Sequence, residues 1–109
     1  MKKIYLFCSA GMSTSILANK MQECANSYSI PVEVKAFPHC EIDNIVKTLS
    51  PDCILLGPQV KYTYDETKKI YGEENGIPVA VIDRNDYGLM KAENVLKMAV
   101  VLIKNAIKN

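Results

Sequence analysis

The fold is decided by residues 3–8 (KIYLFC) and the segment behind them, residues 9–15 (SAGMSTS). The first run is apolar and rich in aromatic residues, which predicts a buried strand. Residues 9–14 are small and mostly polar, which predicts a turn. Apolar side chains then recur at spacings of three and four from Leu17 to Tyr28, which predicts a helix with that face in the core. The chain therefore opens as a strand, a turn and a helix.

The same alternation continues to the end of the chain. Apolar or alternating runs predict three further strands, over residues 32–37, 53–56 and 79–82. Helical periodicity predicts three further helices, over residues 42–49, 64–71 and 89–106. Residues 83–88 are predicted as a loop. The order β-α-β-α-β-α-β-α predicts an α/β protein with a single domain over residues 1–109. We expect a four-stranded parallel sheet of order 2-1-3-4 with helices on both faces.

The composition excludes several classes of function. The 109 residues include 13 basic and 12 acidic side chains, a net charge of +1, so no basic field favours nucleic acid. The longest apolar run, residues 98–103, is far shorter than the roughly 20 residues of a membrane helix, so we expect no direct membrane insertion. The apolar stretch after Lys3 is also shorter than the ~7 to 15 residues of a secretion signal. We therefore expect a cytoplasmic protein.

The cysteines predict neither a metal site nor disulfides. Cys8, Cys24, Cys40 and Cys53 form no C-x-x-C pair, and His39 is the single histidine, so the spacing of a zinc site is absent. In a reducing compartment all four remain thiols. Cys24 and Cys53 fall on an apolar helix face and in a strand, which predicts core positions, whereas His39 is predicted at the surface.

The turn after the first strand is the candidate site. In parallel sheets ligands bind beyond the carboxyl ends of the strands where the strand order reverses, and order 2-1-3-4 puts Cys8 there. Backbone N–H groups of such a turn, together with a helix N-terminus, bind anions and favour the thiolate form of cysteine. A second interpretation stays open, in which Cys8 is a buried strand residue and a hydroxyl merely caps the helix. The candidate residues are Cys8 as nucleophile and Ser9, Ala10, Gly11, Met12, Ser13, Thr14 and Ser15 as the phosphate-binding loop.

Three segments resemble one protein family. Residues 4–15 (IYLFCSAGMSTS), 55–60 (LLGPQV) and 82–90 (IDRNDYGLM) are similar to the enzyme IIB component of the bacterial phosphoenolpyruvate-dependent sugar phosphotransferase system, lactose/cellobiose family. The resemblance implies that Cys8 accepts a phosphoryl group from a phosphohistidine of enzyme IIA. It also implies that Cys8 passes the group to a sugar, such as cellobiose, held by membrane enzyme IIC. The protein would then lie transiently at the inner face of the membrane.

Two other functions compete with this one. The loop after the first strand also resembles that of low-molecular-weight cysteine phosphatases and arsenate reductases, which carry C-x-x-x-x-x-R-S. Thr14 stands at the position of that arginine, and a hydroxyl does not replace a bidentate guanidinium. The single arginine, Arg84, follows the fourth predicted strand, where an exposed turn is expected. A non-catalytic flavodoxin-like module is the other alternative, although the chain has no Trp to stack on a flavin.

Two residues outside the loop are candidate pocket or partner contacts. Gln59 follows the third strand, and Tyr87 follows the fourth, so both belong to the sheet edge of Cys8. Met12 is a candidate contact for the IIA and IIC proteins, which must reach the sulfur in turn. Such binding is transient and modest in area, so we expect a monomer. No metal or organic cofactor is expected in this chain.

Overall fold

The computed structural model describes residues 1–9 and 12–108, with the side chains of Met12, Ile107 and Lys108 left aside. Ala10 and Gly11 of the predicted loop, and the side chain of Met12, therefore lie outside the described residues.

A four-stranded parallel sheet forms the centre of the molecule, in the order β2-β1-β3-β4. Its strands are β1 (Lys2–Cys8), β2 (Val32–Pro38), β3 (Cys53–Leu56) and β4 (Val79–Val81). The predicted fold class and strand order are confirmed. β1 and β3 are the interior strands and are buried almost throughout, as their apolar runs predict.

Helices cover both faces of this sheet. They are α1 (Met12–Ser27), α2 (Ile42–Leu49), α3 (Tyr64–Thr67), α4 (Arg84–Gly88) and α5 (Ala92–Lys108). Successive strand residues point to opposite faces. Ile4 and Leu6 thus pack with α1 and α5 in one core, whereas Tyr5 and Phe7 pack with α2 and residues 58–73 in the other.

The segment predicted as a helix over residues 64–71 is less regular than expected. A 3-10 helix (Pro58–Thr63) precedes α3, and a π-helical turn (Lys68–Glu73) continues it. Val60, Thr67 and Tyr71 are its buried residues. These three residues are seven and four positions apart, so they lie on one side of the segment and face the sheet. The segment therefore packs on the sheet as a helix would, although most of its turns are not α-helical.

Two expectations near the C-terminus were wrong. Residues 83–88 are not a loop, because α4 occupies Arg84–Gly88. The Asp83 carboxylate caps this helix by accepting hydrogen bonds from the N–H groups of Asn85 (3.0 Å) and Asp86 (3.2 Å). The last helix begins at Ala92 rather than Leu89, which is 67% exposed. Met90, with a φ of 53°, turns the chain between the two helices.

Tyr28 also departs from its predicted place in the core. α1 ends at Ser27, and the Tyr28 side chain lies exposed beyond it, donating to the Glu93 carboxylate of α5 at 2.7 Å. Within the residues that the structure describes, no helix is both long and apolar enough to cross a membrane.

Candidate phosphoryl-transfer site

Cys8 ends β1 at the carboxyl edge of the sheet. Its partner in β2 is Pro38, and on the other side the Gly57 N–H donates to the Phe7 carbonyl at 2.8 Å, which continues the β1–β3 ladder past Leu56. β1 connects to β2 on one side, and the chain then returns to β3 on the other. Cys8 and Gly57 therefore lie at the point where strand order reverses, as predicted.

The connection from Cys8 to α1 is short. Cys8 continues the alternation of Ile4 and Leu6, so its side chain belongs to the face that α1 covers, and it is 5% exposed. α1 begins at Met12, so residues 12–14 of the predicted turn are helical. The N-terminus of this 16-residue helix lies at the carboxyl edge and carries partial positive charge there.

Three of the four hydroxyl residues of the predicted loop, Ser13, Thr14 and Ser15, are part of the first turn of α1. Ser13 and Ser15 are exposed, whereas Thr14 is buried. The Thr14 and Tyr87 hydroxyls form a hydrogen bond of 2.8 Å, which joins α1 to α4. The structure thus brings Tyr87, predicted from its place after β4, to the start of α1.

Gly57 lets Cys8 and the Gln59 side chain come close to the backbone, a role that was not predicted for it. A Cβ added there would lie 3.4 Å from the Cys8 Cβ and 2.6 Å from the Gln59 Oε1. The Gln59 amide oxygen therefore lies beside Gly57, the residue that approaches Cys8, while Gln59 as a whole remains exposed. A Gly-Pro pair directly after a strand at the switch point is the sequence signal that points to this position.

The other three thiols differ from one another. Cys53 is fully buried in β3, and burial raises the pKa of its thiol to about 12, so a core role fits it. Cys24 is half-buried and packs against the core, and Cys40 is exposed. All three therefore lack the placement of Cys8 at the end of β1.

His39 is more buried than predicted. It follows β2 directly, is half-buried, and its Nε2 is enclosed with no hydrogen-bond partner among the described residues. The side chain is thus only partly at the surface, in the 3-10 turn His39–Glu41 that joins β2 to α2.

The residues that a phosphatase or metal site would need are not assembled in the described part of the chain. Arg84 is exposed at the first residue of α4, and Thr14, at the position of the phosphatase arginine, is bound to Tyr87. No group of three or more His, Cys, Asp or Glu side chains is placed to hold a metal ion there.

Comparison with known proteins places the chain in a family. The sequence model described as "PTS system, Lactose/Cellobiose specific IIB subunit" matches residues 3–98. The chain belongs to this family. The resemblance seen in the sequence is confirmed, and with it the class of sugar phosphotransferase.

Named relatives agree with this assignment. The galactose-specific and cellobiose-specific EIIB components of two Lactococcus lactis strains are each 42% identical over 101 residues, covering 90% of this chain and 93% of each relative. The oligo-beta-mannoside-specific EIIB component of Bacillus subtilis is 36% identical over 105 residues, covering 96% of this chain and 99% of its own length.

Solved IIB structures share the fold. The cellobiose-specific IIB protein of Borrelia burgdorferi has a TM-score of 0.77 at 32% identity and covers 96% of this chain and 94% of its own. The lactose-specific IIB domain of Streptococcus pneumoniae has a TM-score of 0.76 at 24% identity, with 91% and 94% covered, and supports the fold alone. Family membership decides against both alternatives from the sequence, the cysteine phosphatase and the flavodoxin-like module.

Proposed function

We propose that this IIB chain carries its phosphoryl group on Cys8, receiving it from a phosphohistidine of enzyme IIA and giving it to a sugar bound by membrane enzyme IIC. The observation that carries the proposal is the position of Cys8. It ends an interior strand at the switch point of the sheet, on the face that α1 covers, and only residues 9–11 separate it from the start of that helix.

The proposed reaction has two displacements at phosphorus. In the first, the Cys8 thiolate attacks, a P–S bond forms, the P–N bond of the donor breaks, and the imidazole leaves. In the second, a sugar hydroxyl attacks and loses its proton, an O–P bond forms, the P–S bond breaks, and the thiolate is restored. Cys8 is thus nucleophile in one step and leaving group in the other.

The protein's share of this chemistry is positioning and stabilisation of charge. Phosphoryl transfer spreads negative charge over three equatorial oxygens, which oriented N–H donors stabilise. We assign that role to the backbone of residues 9–15, with the first turn of α1 as its described part. The Gln59 amide beside Gly57 is a candidate further contact, since its NH2 group can donate to a phosphoryl oxygen.

A carrier must also protect its phosphocysteine from water. Cys8 is 5% exposed, and the exposed Arg84 is the chain's single arginine. A stable phosphocysteine therefore fits this site better than the rapid hydrolysis of an arginine-bearing phosphatase loop.

The partners follow from the two displacements. Enzymes IIA and IIC must each reach the same sulfur, so they bind in turn at the carboxyl edge of the sheet, and the chain works in the cytoplasm and at the inner face of the membrane. For the sugar we propose a β-linked disaccharide such as cellobiose. The two Lactococcus relatives are equally similar and named for different sugars, so the choice belongs to enzyme IIC.

The proposal is tested by sugar phosphate formation. Phosphoenolpyruvate, the general transfer proteins, a IIA protein and membranes containing IIC are combined with wild type, Cys8→Ser or Cys40→Ser. We expect no product above a reaction without the IIB chain for Cys8→Ser, because a hydroxyl is far less ionised than a thiol. Cys40→Ser is the matched control, an exposed thiol of the same chain, and keeps the wild-type rate. Wild-type product formation by Cys8→Ser overturns the proposal.

A further inference from the structure

The hydrogen bond between Thr14 and Tyr87 links the candidate site to a distant part of the chain. The two hydroxyl oxygens are 2.8 Å apart, although the residues are 73 positions apart in sequence. Thr14 is 1% exposed, in the first turn of α1, and Tyr87 is half-buried in α4. The described chain shows no other side-chain hydrogen bond between α1 and α4.

Hydrogen bonds and packing around α4 hold Tyr87 in place. Its N–H donates to the Asp83 carbonyl at 2.9 Å, and its carbonyl accepts from the Met90 N–H at 3.2 Å. The Asp83 carboxylate caps α4, and the Lys91 N–H donates to the Asp86 carbonyl at 2.8 Å. The Tyr87 ring also packs against the core that α1 and α5 share. α4 is therefore a short, anchored element that presents one phenol to α1.

We infer that Tyr87 is a positioning residue for phosphoryl transfer at Cys8, acting through Thr14 on the first turn of α1. This inference rests on the proposed function. Each of the two hydroxyls can donate or accept, so the bond is lost when either one is removed. The bond holds the first turn of α1, to whose backbone N–H groups the proposed function assigns the stabilisation of charge on the Cys8 sulfur and the phosphoryl oxygens.

The burial of Thr14 makes this bond matter. A buried hydroxyl that loses its partner either stays unsatisfied or shifts to find another, and both disturb the turn that carries it. Small displacements of positioning groups are costly, since a misplacement of about 1 Å far from the chemistry can lower a rate roughly 100-fold. Removal of the Tyr87 hydroxyl therefore acts on the Cys8 site without touching it.

The test compares Tyr87→Phe with a matched control. Tyr28→Phe removes the same hydroxyl from the other end of α1, where Tyr28 donates to Glu93 away from Cys8. Phosphorylation of Cys8 by a phosphorylated IIA protein, and alkylation of Cys8 by iodoacetamide, are both timed. We expect Tyr87→Phe to slow both reactions about tenfold, the rate equivalent of a buried hydroxyl left without its partner. Tyr28→Phe is expected to leave both at the wild-type rate.

Variants of Thr14 separate positioning from a general loss of stability. Thr14→Val removes the same bond from the other side, so combining it with Tyr87→Phe is expected to slow transfer no more than either change alone. Thr14→Ser keeps the hydroxyl and stays within about twofold of wild type.

Each outcome bears on one of the two proposals. If the wild type acquires no phosphoryl group on Cys8, the proposed function is contradicted. The alkylation rates of Cys8 then still test whether the Thr14–Tyr87 bond affects this cysteine. If the wild type is phosphorylated on Cys8 but Tyr87→Phe reacts as fast, or only melts at a lower temperature, the positioning role is overturned. The positioning role is also overturned if the two changes, Tyr87→Phe and Thr14→Val, have fully additive effects on the rate of transfer.

Discussion

At the scale of single residues, the candidate site depends on the absence of a side chain at Gly57. Gly57 neighbours Cys8 across the sheet, and its lack of a side chain leaves the space that the Gln59 amide enters. Its φ of −64° and ψ of 154° are open to any residue, so space rather than backbone freedom is what glycine provides here.

This gives a prediction for Gly57→Ala. The new Cβ would lie 2.6 Å from the Gln59 Oε1, so the amide must shift from its place beside Gly57. We expect phosphorylation of Cys8 to slow roughly fivefold, corresponding to about 1 kcal/mol of lost transition-state stabilisation. The melting temperature should stay close to that of the wild type, because alanine accepts this backbone geometry and restricts the unfolded chain.

Gly88→Ala is the control for that measurement. Apart from its chain neighbours and the backbone of its own helix, no heavy atom of the described residues lies within 4 Å of a Cβ added at Gly88, so this variant is expected to transfer phosphoryl groups at the wild-type rate. Unchanged transfer by Gly57→Ala would show that the position of the Gln59 amide has no part in the reaction.

At the scale of elements, the strands and long helices could be read from the sequence because periodicity reports burial. The runs of β1 and β3 are buried on both faces, and the spacing of Leu17, Met21 and Ala25 marks one face of α1. Each of these signals is local, so a single sequence is sufficient. The resulting strand order placed Cys8 at the correct edge.

The shorter elements could not be read in the same way. α4 has five residues, too few for a helical period, and only the Asp83 cap marks its start. The Thr14–Tyr87 bond joins residues that only the folded chain brings together. The burial of His39 Nε2 likewise depends on how the turn after β2 packs, which no local pattern records.

At the scale of the whole molecule, one edge of the sheet is secured by a buried tyrosine. Tyr5 is 1% exposed in β1, and its hydroxyl donates to the Glu33 carboxylate of β2 at 2.7 Å. This hydrogen bond holds the pKa of Glu33 below its ordinary value, with smaller contributions from Lys35 and Lys3. Burial, and then the same bond, raise the pKa of Tyr5.

The lowered pKa of Glu33 makes stability depend on acid pH. The folded carboxyl releases its proton at lower pH than the unfolded one, so the unfolded chain binds more protons across that range. The stabilisation is present above the unfolded value of about 4.3 and is lost as the pH falls through the folded value.

Glu33→Gln tests this dependence. The urea midpoint of the wild type is expected to fall more steeply than that of Glu33→Gln as the pH is lowered from about 6 to about 3. Glu41→Gln, a change at an exposed glutamate, should keep the wild-type slope. Equal slopes for wild type and Glu33→Gln would mean that the bond to Tyr5 does not contribute to acid stability.

The central claim, that Cys8 carries the phosphoryl group, is tested most directly by intact-protein and peptide mass spectrometry. The chain is incubated with phosphoenolpyruvate, the general transfer proteins and a IIA protein, and hydrolysis of p-nitrophenyl phosphate is followed in parallel. We predict one phosphoryl group, on the peptide that contains Cys8, and no turnover of the ester. A phosphoryl group on any other residue, or ester turnover without a stable phosphoprotein, would contradict the account.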